Sequence, residues 1–320
     1  MPMKLLRGLA EVPYFADGSV AAIGNFDGVH LGHQALLAAL RAQADALQLP
    51  MVALVFEPQP AEYFRGLQAP ARLTTLREKS QVLQSCGVDY LCCLKFNEAF
   101  ALLSAEDFAE RYFFSWLHAK YLLIGEDFRF GYKRLGDIQL LKLLGEKEGC
   151  SVETFPDFSV NHHRVSSTKI REALAQGQLE YASALLGRTF NLCGRVVKGN
   201  ERGRQWGIPT ANLTMHRLAL PLKGVFCVKV RRASGEWLEG VANIGSRPTV
   251  DGTKNILEIH LFDFDGDLYG EMLQVFFLHK LRDEVRFSSI EALIKQIHED
   301  IAVAKAQFCK RRFELNALTE

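Results

Sequence analysis

Residues 24–34 read GNFDGVHLGHQ and stand between a short apolar run and a helical pattern. Val20 to Ile23 is apolar and ends in Gly24, as a buried strand would, and residues 35–47 have the leucine and alanine spacing of a packed helix. The stretch is therefore predicted to be a strand end, a tight loop and a helix start. Free N–H groups and the helix dipole attract anions at such a junction.

Four residues of this stretch suit a phosphate ligand. Gly28 and Gly32 let a bulky group approach the backbone. His30 and His33 fall on one face of the first helical turn, where an imidazole can donate to phosphate oxygens. Two other interpretations of the histidines are weaker. A zinc site would need a third ligand at a suitable spacing. Two ordinary surface histidines would not require the preceding strand and the glycines around them. His-x-Gly-His after a first strand resembles the nucleotidyltransferase superfamily, which activates ATP without a covalent intermediate.

Length and composition limit the class of protein. The chain of 320 residues suits about two domains. A hydrophobic content of 48% and a charged content of 23% are ordinary for a globular protein, and a net charge of +1 argues against nucleic acid as the main partner. No apolar run has the length of a membrane span, and the first residues, MPMKLLRGLAEVP, do not resemble a signal peptide. Seven cysteines without a Cys-x-x-Cys indicate reduced thiols, so we expect a cytoplasmic protein with no membrane partner and no obligate protein partner.

The first half alternates short apolar runs with helical patterns. This alternation predicts a mainly parallel sheet with helices on both faces. Ligands of such sheets bind beyond the carboxyl ends of the strands. After the first strand, further strands are predicted at Met51–Phe56, Tyr90–Leu94, Tyr121–Ile124 and Ser151–Phe155, and helices at Thr75–Ser85, Ala105–Leu117 and Asp137–Lys147.

Three later segments of the first half carry unusual residues. FEPQP, residues 56–60, has prolines that would stiffen a loop over the site. GEDFRFG, residues 125–131, is either a turn with two packed aromatics or a loop that stacks an aromatic ligand, and convergence of several loops on one edge favours the ligand. VSSTKIREAL, residues 165–174, has a serine at 166 or 167 that can cap a helix. The hydroxyl and cationic groups at this helix start suit a triphosphate.

After Gly177 the pattern changes to one short helix, Leu179 to Leu186, and then to strands separated by turn residues. The spacing of these strands suggests a small antiparallel barrel. A final helix is predicted to start at Ser288, with Glu291 completing a capping box. We place the domain limits at 1–182 and 183–320. The five predicted strands are Phe190–Val197, Gly224–Arg231, Trp237–Ile244, Ile256–Phe262 and Leu273–Leu278.

The second half has a candidate site of its own. GRVVKG, residues 194–199, is rejected as a phosphate loop because Asn200 stands where the motif requires Lys. Thr210 and Asn212 face the same side of an extended segment and can offer two oxygens to Mg²⁺. Glu258 lies among apolar neighbours in a predicted strand. A carboxylate there is either part of an ion pair or a general base.

Together these motifs resemble the bacterial bifunctional riboflavin kinase/FMN adenylyltransferases, the FAD synthetase family. Departures from the family pattern are small: Trp206, Ile208 and Phe226 stand where an aliphatic residue, Phe and Tyr are usual. The resemblance implies an α/β fold, with an N-terminal Rossmann-like nucleotidyltransferase domain and a C-terminal antiparallel β-barrel that ends in a helix. It covers essentially the whole chain, through GNFDGVHLGHQ, FEPQP, GEDFRFG, SSTKIR, LLGR, GRxxGxPTAN, NIGSRPTV, LEIH, FDGDLYG and LRDEVRF.

Two reactions are implied by this resemblance. The first domain would transfer AMP from ATP to FMN, giving FAD and pyrophosphate, and the second would phosphorylate riboflavin to FMN. Glu258 would be the base of the kinase, with Thr210 and Asn212 holding Mg²⁺. The implied catalytic groups of the first domain are His30, His33 and Arg171. ATP would be bound by Gly24, Asn25, Phe26, Gly32, Ser166, Ser167, Thr168 and Lys169 in the first domain and by Gly199, Gly203, Arg204 and Pro209 in the second; flavin would be bound by Asp127, Phe128, Arg129 and Arg282.

Two functions of other classes compete with this one. A tRNA-charging enzyme is possible because one synthetase class shares His-x-Gly-His, but the near-neutral charge and the lack of an anticodon-binding domain weigh against it. The second is a flavin-binding sensor without turnover. Retention of all the motifs weighs against the sensor, and turnover would exclude it.

Overall fold

The computed structural model describes residues 2–8, 15–160, 163–199, 203, 206–215, 217–249 and 252–317. The chain divides into two units, Met1–Ser167 and Thr168–Glu320, by the contacts between its residues. The limits 1–182 and 183–320 remain a prediction for the domains. Within the described parts of the chain, every helix is too short or too polar to cross a membrane.

A six-stranded sheet forms the centre of the first unit. Its spatial order is β1-β4-β3-β2-β5-β6, and all neighbours are parallel, which confirms the predicted parallel sheet. Edge strand β1 was not predicted, because KLLR is short and only Leu6 among its side chains is buried. The strands are β1 (Lys4–Arg7), β2 (Ser19–Ile23), β3 (Met51–Glu57), β4 (Tyr90–Lys95), β5 (Ala119–Gly125) and β6 (Ser151–Phe155).

Helices connect these strands and cover both faces of the sheet. Helix α5 continues as a π-helical segment, Ala109–Trp116, where the sequence predicted a single α-helix. The helices of this unit are α1 (Leu31–Leu47), α2 (Pro60–Arg65), α3 (Leu76–Ser85), α4 (Glu98–Ala101), α5 (Ala105–Phe108) and α6 (Ile138–Glu148).

Successive residues of the central strands enter two different cores. Ala21 and Ile23 belong to the core that contains α5 and the π-helical segment, whereas Val20 and Ala22 belong to the core under α1. Burial on both faces explains why these strands appear as continuous apolar runs in the sequence. From β2 the chain moves to β3 and β4 on one side, and later to β5 and β6 on the other. The carboxyl ends of β2 and β5 therefore border the switch point of the topology, where such sheets bind ligands.

A short hairpin leads out of the first unit, and a barrel forms most of the second. Strands β7 (Ser159–Val160) and β8 (His163–Arg164) pair antiparallel. Helices α7 (Ser167–Ala175) and α8 (Leu179–Leu186) follow. The closed barrel has the order β10-β13-β12-β11-β14-β9, which confirms the predicted barrel. Its strands are β9 (Asn191–Val197), β10 (Ala211–Thr214), β11 (Gly224–Arg231), β12 (Trp237–Thr249), β13 (Gly252–Leu261) and β14 (Met272–Arg282), and the last helix is α9 (Ile290–Ala317).

Two details of the barrel unit differ from the sequence prediction. Strand β10 was expected only as an extended segment, yet it closes the barrel by pairing with β9 and β13. Helix α9 begins at Ile290, and the Ser289 hydroxyl accepts a hydrogen bond from the Ala292 N–H at 3.2 Å. Ser289, not Ser288, is therefore the capping residue. Ile290 is 56% exposed, so the apolar stripe of the helix begins one turn later.

Candidate active sites

The loop between β2 and α1 has an unusual backbone. Phe26, Gly28 and Val29 have positive φ angles of 44°, 82° and 41°. For a residue other than glycine, this conformation costs on the order of 1–3 kcal/mol of free energy. Contacts with the surrounding residues must therefore stabilise the loop in this conformation. One such contact is the buried ring of Phe26, which is 2% exposed. A second is the hydrogen bond from the Gly24 N–H to the Leu54 carbonyl, at 3.1 Å.

His30 and His33 stack on each other at the start of α1. Their ring centroids lie 3.7 Å apart with 14° between the ring planes. His30 is the N-cap, and its Nδ1 accepts a hydrogen bond from the His33 N–H at 3.3 Å. A neutral His30 ring therefore carries its proton on Nε2, where it is a donor. A Cβ at Gly32 would lie 3.3 Å from the His30 ring, so any larger residue would require the ring to shift by a few tenths of an ångström.

The segment after β5 contains the predicted flavin-binding residues. Phe128 stacks on Phe130, with centroids 5.4 Å apart. The exposed Asp127 carboxylate lies 3.6 Å from the Arg164 guanidinium, and Arg129 lies 3.3 Å from Asp137. The two packed aromatics of the simpler interpretation are thus present, and both ionic residues lie on the surface beside them.

A row of aromatic rings continues from this pair along the first unit. It was not found in the sequence because its rings come from separate elements, including α2 and α5. The far end of the row reaches solvent at Phe64, which is 66% exposed. The consecutive contacts join Phe130 to Phe108, Phe108 to Phe100, Phe100 to Phe96, and Phe96 to both Tyr63 and Phe64, with centroids 5.2–5.7 Å apart.

Helix α7 carries the predicted triphosphate-binding residues. It begins at Ser167, so Ser166 occupies the capping position. The Ser167 hydroxyl donates to the Asp27 carbonyl at 2.8 Å, which ties the helix start to the loop after β2. Three residues of α7 that were predicted to bind or activate the triphosphate, Thr168, Lys169 and Arg171, belong to the second unit.

A cavity of about 390 Å³ opens in the barrel unit. Its wall includes Thr210, Asn212, Glu258 and Arg282, so the structure brings these predicted site residues together. Gly203 also lines it, whereas Arg204 lies outside the described residues. Among the residues with a described position, no group of three His, Cys, Asp or Glu side chains could hold a metal ion by itself.

The strand register explains how Glu258 is placed in this wall. Asn212 of β10 and Asn243 of β12 are both direct cross-strand partners of Glu258 in β13. Directly opposite side chains share one face of a sheet, with Cβ atoms about 4.5–5.5 Å apart. The carboxylate therefore stands between two amides. Asn243 Oδ1 is buried and accepts no hydrogen bond from the part of the chain that the structure describes.

Glycines allow the loops beside this row to approach closely. A Cβ at Gly199 would lie 2.3 Å from the Asn212 amide nitrogen, so the Asn212 side chain can occupy its position only because residue 199 is glycine. The Gly203 carbonyl accepts from the Ile208 N–H at 2.8 Å and from the Trp206 N–H at 3.1 Å. A Cβ at Gly203 would lie 2.3 Å from the Ile208 carbonyl oxygen, so this turn also requires glycine.

Arg282 is oriented by a residue that the sequence did not reveal. Its Nε and Nη2 donate to the Asp300 carboxylate at 3.0 and 2.8 Å, and its guanidinium lies over the Phe287 ring. Asp300 comes from α9 and is 6% exposed. Asn243 and Asp300 were missed because only strand register and helix packing bring them to the cavity.

A second cavity of about 480 Å³ lies beside the first. It is lined by Pro209 and Thr210 and by residues 264–269 of the FDGDLYG motif. Thr210 borders both cavities. Two ligands bound side by side in the barrel unit would therefore meet at this residue.

Two family models match the chain. The FAD synthetase model matches residues 13–169, and the riboflavin kinase model matches residues 186–308. A crystal structure described as a macrolide-efflux protein from Streptococcus pneumoniae has a TM-score of 0.79 and 29% identity, covering 95% of this chain and 99% of that chain. The fold is therefore shared over nearly the whole length, whatever activity that description gives to the relative.

Curated relatives match both halves at once. The bifunctional riboflavin kinase/FMN adenylyltransferase of Haemophilus influenzae is 48% identical over 306 residues, which are 96% of this chain and 99% of the relative. The Escherichia coli K12 protein of the same name is 46% identical over 309 residues, 96% of this chain and 98% of the relative. The chain belongs to the bifunctional riboflavin kinase/FMN adenylyltransferase family, with an FAD synthetase domain followed by a riboflavin kinase domain.

Proposed function

We propose that the histidine loop carries adenylyl transfer to FMN and that the barrel cavity carries phosphorylation of riboflavin. The observation that carries this proposal is the cross-strand row Asn212–Glu258–Asn243 in the cavity wall. Phosphorylation of an alcohol needs a base and polar groups around it, whereas a phosphate nucleophile needs only positioning and charge stabilisation. The two sites have these contrasting compositions. The domains that hold them extend over 1–182 and 183–320.

Adenylyl transfer needs no strong base, because the FMN phosphate is already anionic at neutral pH. A phosphate oxygen attacks the α-phosphorus of ATP, and pyrophosphate leaves with the electrons of the broken P–O bond. His30 and His33 donate hydrogen bonds to the phosphoryl oxygens as charge develops on them. The backbone around Gly24, Asn25, Phe26 and Gly32 binds ATP beside them. Ser166 and Ser167 bind the phosphates that leave as pyrophosphate. Thr168, Lys169 and Arg171, which belong to the second unit, stay a sequence prediction for the same phosphates.

The flavin of this first reaction packs along the aromatic row. An isoalloxazine is flat and largely apolar, so it gains by stacking on exposed rings. Phe128 provides a half-buried ring beside the switch point, and Asp127 and Arg129 provide polar groups for the ring edge. The exposed rings at the far end of the row, Tyr63 and Phe64, are additional contacts.

Phosphorylation of riboflavin follows a different route. Glu258 takes the proton of the terminal ribityl hydroxyl, the oxygen attacks the γ-phosphorus of ATP, and ADP leaves. Riboflavin occupies the cavity of Glu258 and Arg282, and ATP occupies the second cavity. Thr210 supports this arrangement because it borders both. ATP is bound by Pro209 in the second cavity, and its phosphates extend past Thr210 toward Gly203, which lines the first. Gly199 and Arg204 complete the proposed ATP contacts.

Magnesium fits the donor set beside Glu258. Thr210 and Asn212 present oxygen atoms, which are the ligands that Mg²⁺ prefers. Asn243 Oδ1 is buried without a hydrogen bond among the described residues, so it is a third candidate oxygen. Bound magnesium would offset the negative charge of the ATP phosphates. Riboflavin, FMN and ATP are thus the ligands of this cytoplasmic protein, which acts without nucleic acid, a membrane or an obligate protein partner.

A time course of the flavins tests the proposal. The purified chain is incubated with riboflavin, ATP and Mg²⁺, and the flavins are separated by chromatography. FMN should appear first and FAD after it, and chelation of Mg²⁺ should stop FMN formation. Unchanged riboflavin together with conversion of added FMN to FAD would contradict the kinase assignment. A tRNA retained on a filter by the chain, with no flavin turnover, would favour the synthetase alternative.

A further inference from the structure

One segment of the first unit contacts both loops that border the proposed adenylyltransferase site. We call residues 72–79, RLTTLREK, the brace segment; it runs into the first turn of α3. Its Arg72 is 8% exposed and pairs with Glu57 at the end of β3 and with Glu62 of α2. Three further residues of the segment, Leu73, Thr74 and Lys79, contact the loop after β2. One stretch of chain thus connects the FEPQP segment with the histidine loop.

Thr74 holds the histidine loop through its hydroxyl and its backbone. The Asp27 carboxylate is 2% exposed and accepts from the N–H groups of Leu73 and Thr74 at 3.0 Å. The Thr74 hydroxyl donates to the same carboxylate at 3.3 Å and accepts from the Gly28 N–H at 2.9 Å. This hydroxyl therefore bridges two consecutive residues that lie between the positive-φ residues Phe26 and Val29.

Lys79 holds the residue at the other end of the strained loop. Its side chain is completely buried, and its ammonium donates to the Asn25 carbonyl. Burial lowers the pKa of Lys79, and the charge of Asp27 opposes that shift. A buried ammonium with little hydrogen bonding costs stability, and an apolar side chain of similar volume would pack at lower cost. Stability alone therefore does not account for a lysine here.

The residues held by these contacts lead directly into the histidine pair. Asn25 and Gly28 bracket the turn that precedes His30, the N-cap of α1. A displaced turn would move the His30 ring and, through the ring stack, the His33 ring. Catalysis is sensitive to such shifts, because a misplacement of about 1 Å can cost about 10²-fold in rate.

We propose that Thr74 and Lys79 are positioning residues for adenylyl transfer, acting on His30 and His33 through the backbone of the loop 25–29. This inference rests on the proposed assignment of the two histidines to that reaction. The two side chains contact the loop at buried positions, and neither takes part in the chemistry. Their effect should appear in the rate of the adenylyl step, while the riboflavin kinase activity of the same molecule serves as an internal control.

Adjacent threonines provide a matched pair for the first test. Thr74→Val removes the hydroxyl that bridges Asp27 and Gly28, whereas Thr75→Val removes the N-cap of α3, which touches neither loop residue. Thr74→Val should lower kcat for FAD formation about tenfold with smaller changes in KM for ATP and FMN. Thr75→Val should lower the unfolding temperature of the full chain but leave that kcat within about twofold. Equal losses of kcat in the two variants would overturn the proposal.

Lys79→Met provides the second test, with Arg77→Met on the exposed face of the same helix as its control. We expect Lys79→Met to lower kcat for FAD formation about tenfold while the unfolding temperature stays equal or rises. Hydrogen exchange of residues 24–34 should become faster in this variant. A full adenylyl rate would overturn the role of Lys79, and so would a loss of rate that only accompanies a loss of stability. If Lys79→Met does not fold, the threonine pair decides.

His33→Ala in the same assay separates this inference from the proposed function. If His33→Ala keeps its rate of FAD formation, the site assignment itself is wrong. If His33→Ala loses that rate but Thr74→Val and Lys79→Met keep it, the site assignment stands and the positioning role is wrong.

Discussion

The two sites of this chain are built in opposite ways. In the first unit, the histidines stand on a strained loop, and buried polar contacts from residues 46 or more positions away hold its backbone. In the barrel, Glu258 stands on a regular strand, and the hydrogen-bond register places its two amide neighbours. A loop site is therefore sensitive to the loss of single buried hydrogen bonds. A strand site is instead sensitive to substitution of the side chains that line it and to larger residues placed next to them.

The largest effect should come from the centre of the strand site. Glu258→Gln keeps the shape of the side chain but removes the base, so riboflavin phosphorylation should fall about 10²–10⁴-fold. Conversion of added FMN to FAD should stay unchanged, because the histidine loop lies in the other unit. Both rates are measured on one preparation. If the kinase rate is intact and the unfolding temperature falls, Glu258 is instead a member of a structural ion pair.

A comparable but smaller loss is expected at the centre of the loop site. His33→Ala removes a donor to the phosphoryl group and the stacking partner of His30, so FAD formation should fall about 10²–10³-fold. FMN formation from riboflavin should continue at the normal rate. Loss of both activities in this variant would contradict the division of the chemistry between the units.

A larger side chain beside the strand site should reduce activity more than a larger side chain in most surface loops. Gly199→Ala would place a methyl group 2.3 Å from the Asn212 amide nitrogen and push that side chain out of the row. We expect the kinase kcat to fall about tenfold, because misplaced groups reduce catalysis more than they reduce binding. Steady-state kinetics with varied Mg²⁺ would check this. An unchanged kcat at every Mg²⁺ concentration would show that Asn212 has no role in the kinase reaction.

The smallest expected effect is a change in stability caused by the buried Lys79 ammonium of the loop site. Near neutral pH, the free energy of unfolding of Lys79→Met should be about 1 kcal/mol higher than that of the natural chain, because the variant buries no ammonium. The pKa of Lys79 is lower in the folded chain than in the unfolded chain. Between these two pKa values the unfolded chain binds more protons than the folded chain, so the free energy of unfolding of the natural chain increases as pH rises toward the ordinary lysine pKa. Asp27, Arg72, Glu57 and Cys93 face this ammonium and are common to both proteins.

The stability difference between the two proteins should therefore shrink with rising pH. Denaturant titrations at about pH 7 and about pH 10 would measure it, with Arg77→Met as the exposed control. A difference that stays constant or grows would mean that Lys79 is not the group responsible.

Much of the fold was predictable from sequence, for reasons that differ between the units. The central parallel strands, β2 to β5, are buried on both faces, so they form apolar runs whose limits lie within one or two residues of the observed strands. Strands β1 and β10 were not predicted, because each has only four residues and only one buried side chain. The π-helical segment was missed because its aromatic residues also fit an α-helical pattern.

The candidate sites were predictable only where a motif marked them. His30 and His33 lie in one short stretch, and Glu258 stands out as a charge in an apolar strand. Asn243 is a common residue type in a strand, and only the barrel register places it beside Glu258. Thr74 and Lys79 look like part of an ordinary helix start, since nothing in the sequence reveals that Lys79 is completely buried. Long-range packing, which single residues do not encode, supplies these parts of the sites.

Mixing two defective variants tests the central claim, that one chain carries two independent sites. His33→Ala and Glu258→Gln are each incubated with riboflavin, ATP and Mg²⁺, and then both are combined in one solution. Alone, His33→Ala should stop at FMN and Glu258→Gln should leave riboflavin unchanged. Together they should produce FAD, because FMN made by one variant is adenylylated by the other. Absence of FAD from the mixture, or loss of both activities in either variant alone, would contradict the two-site account.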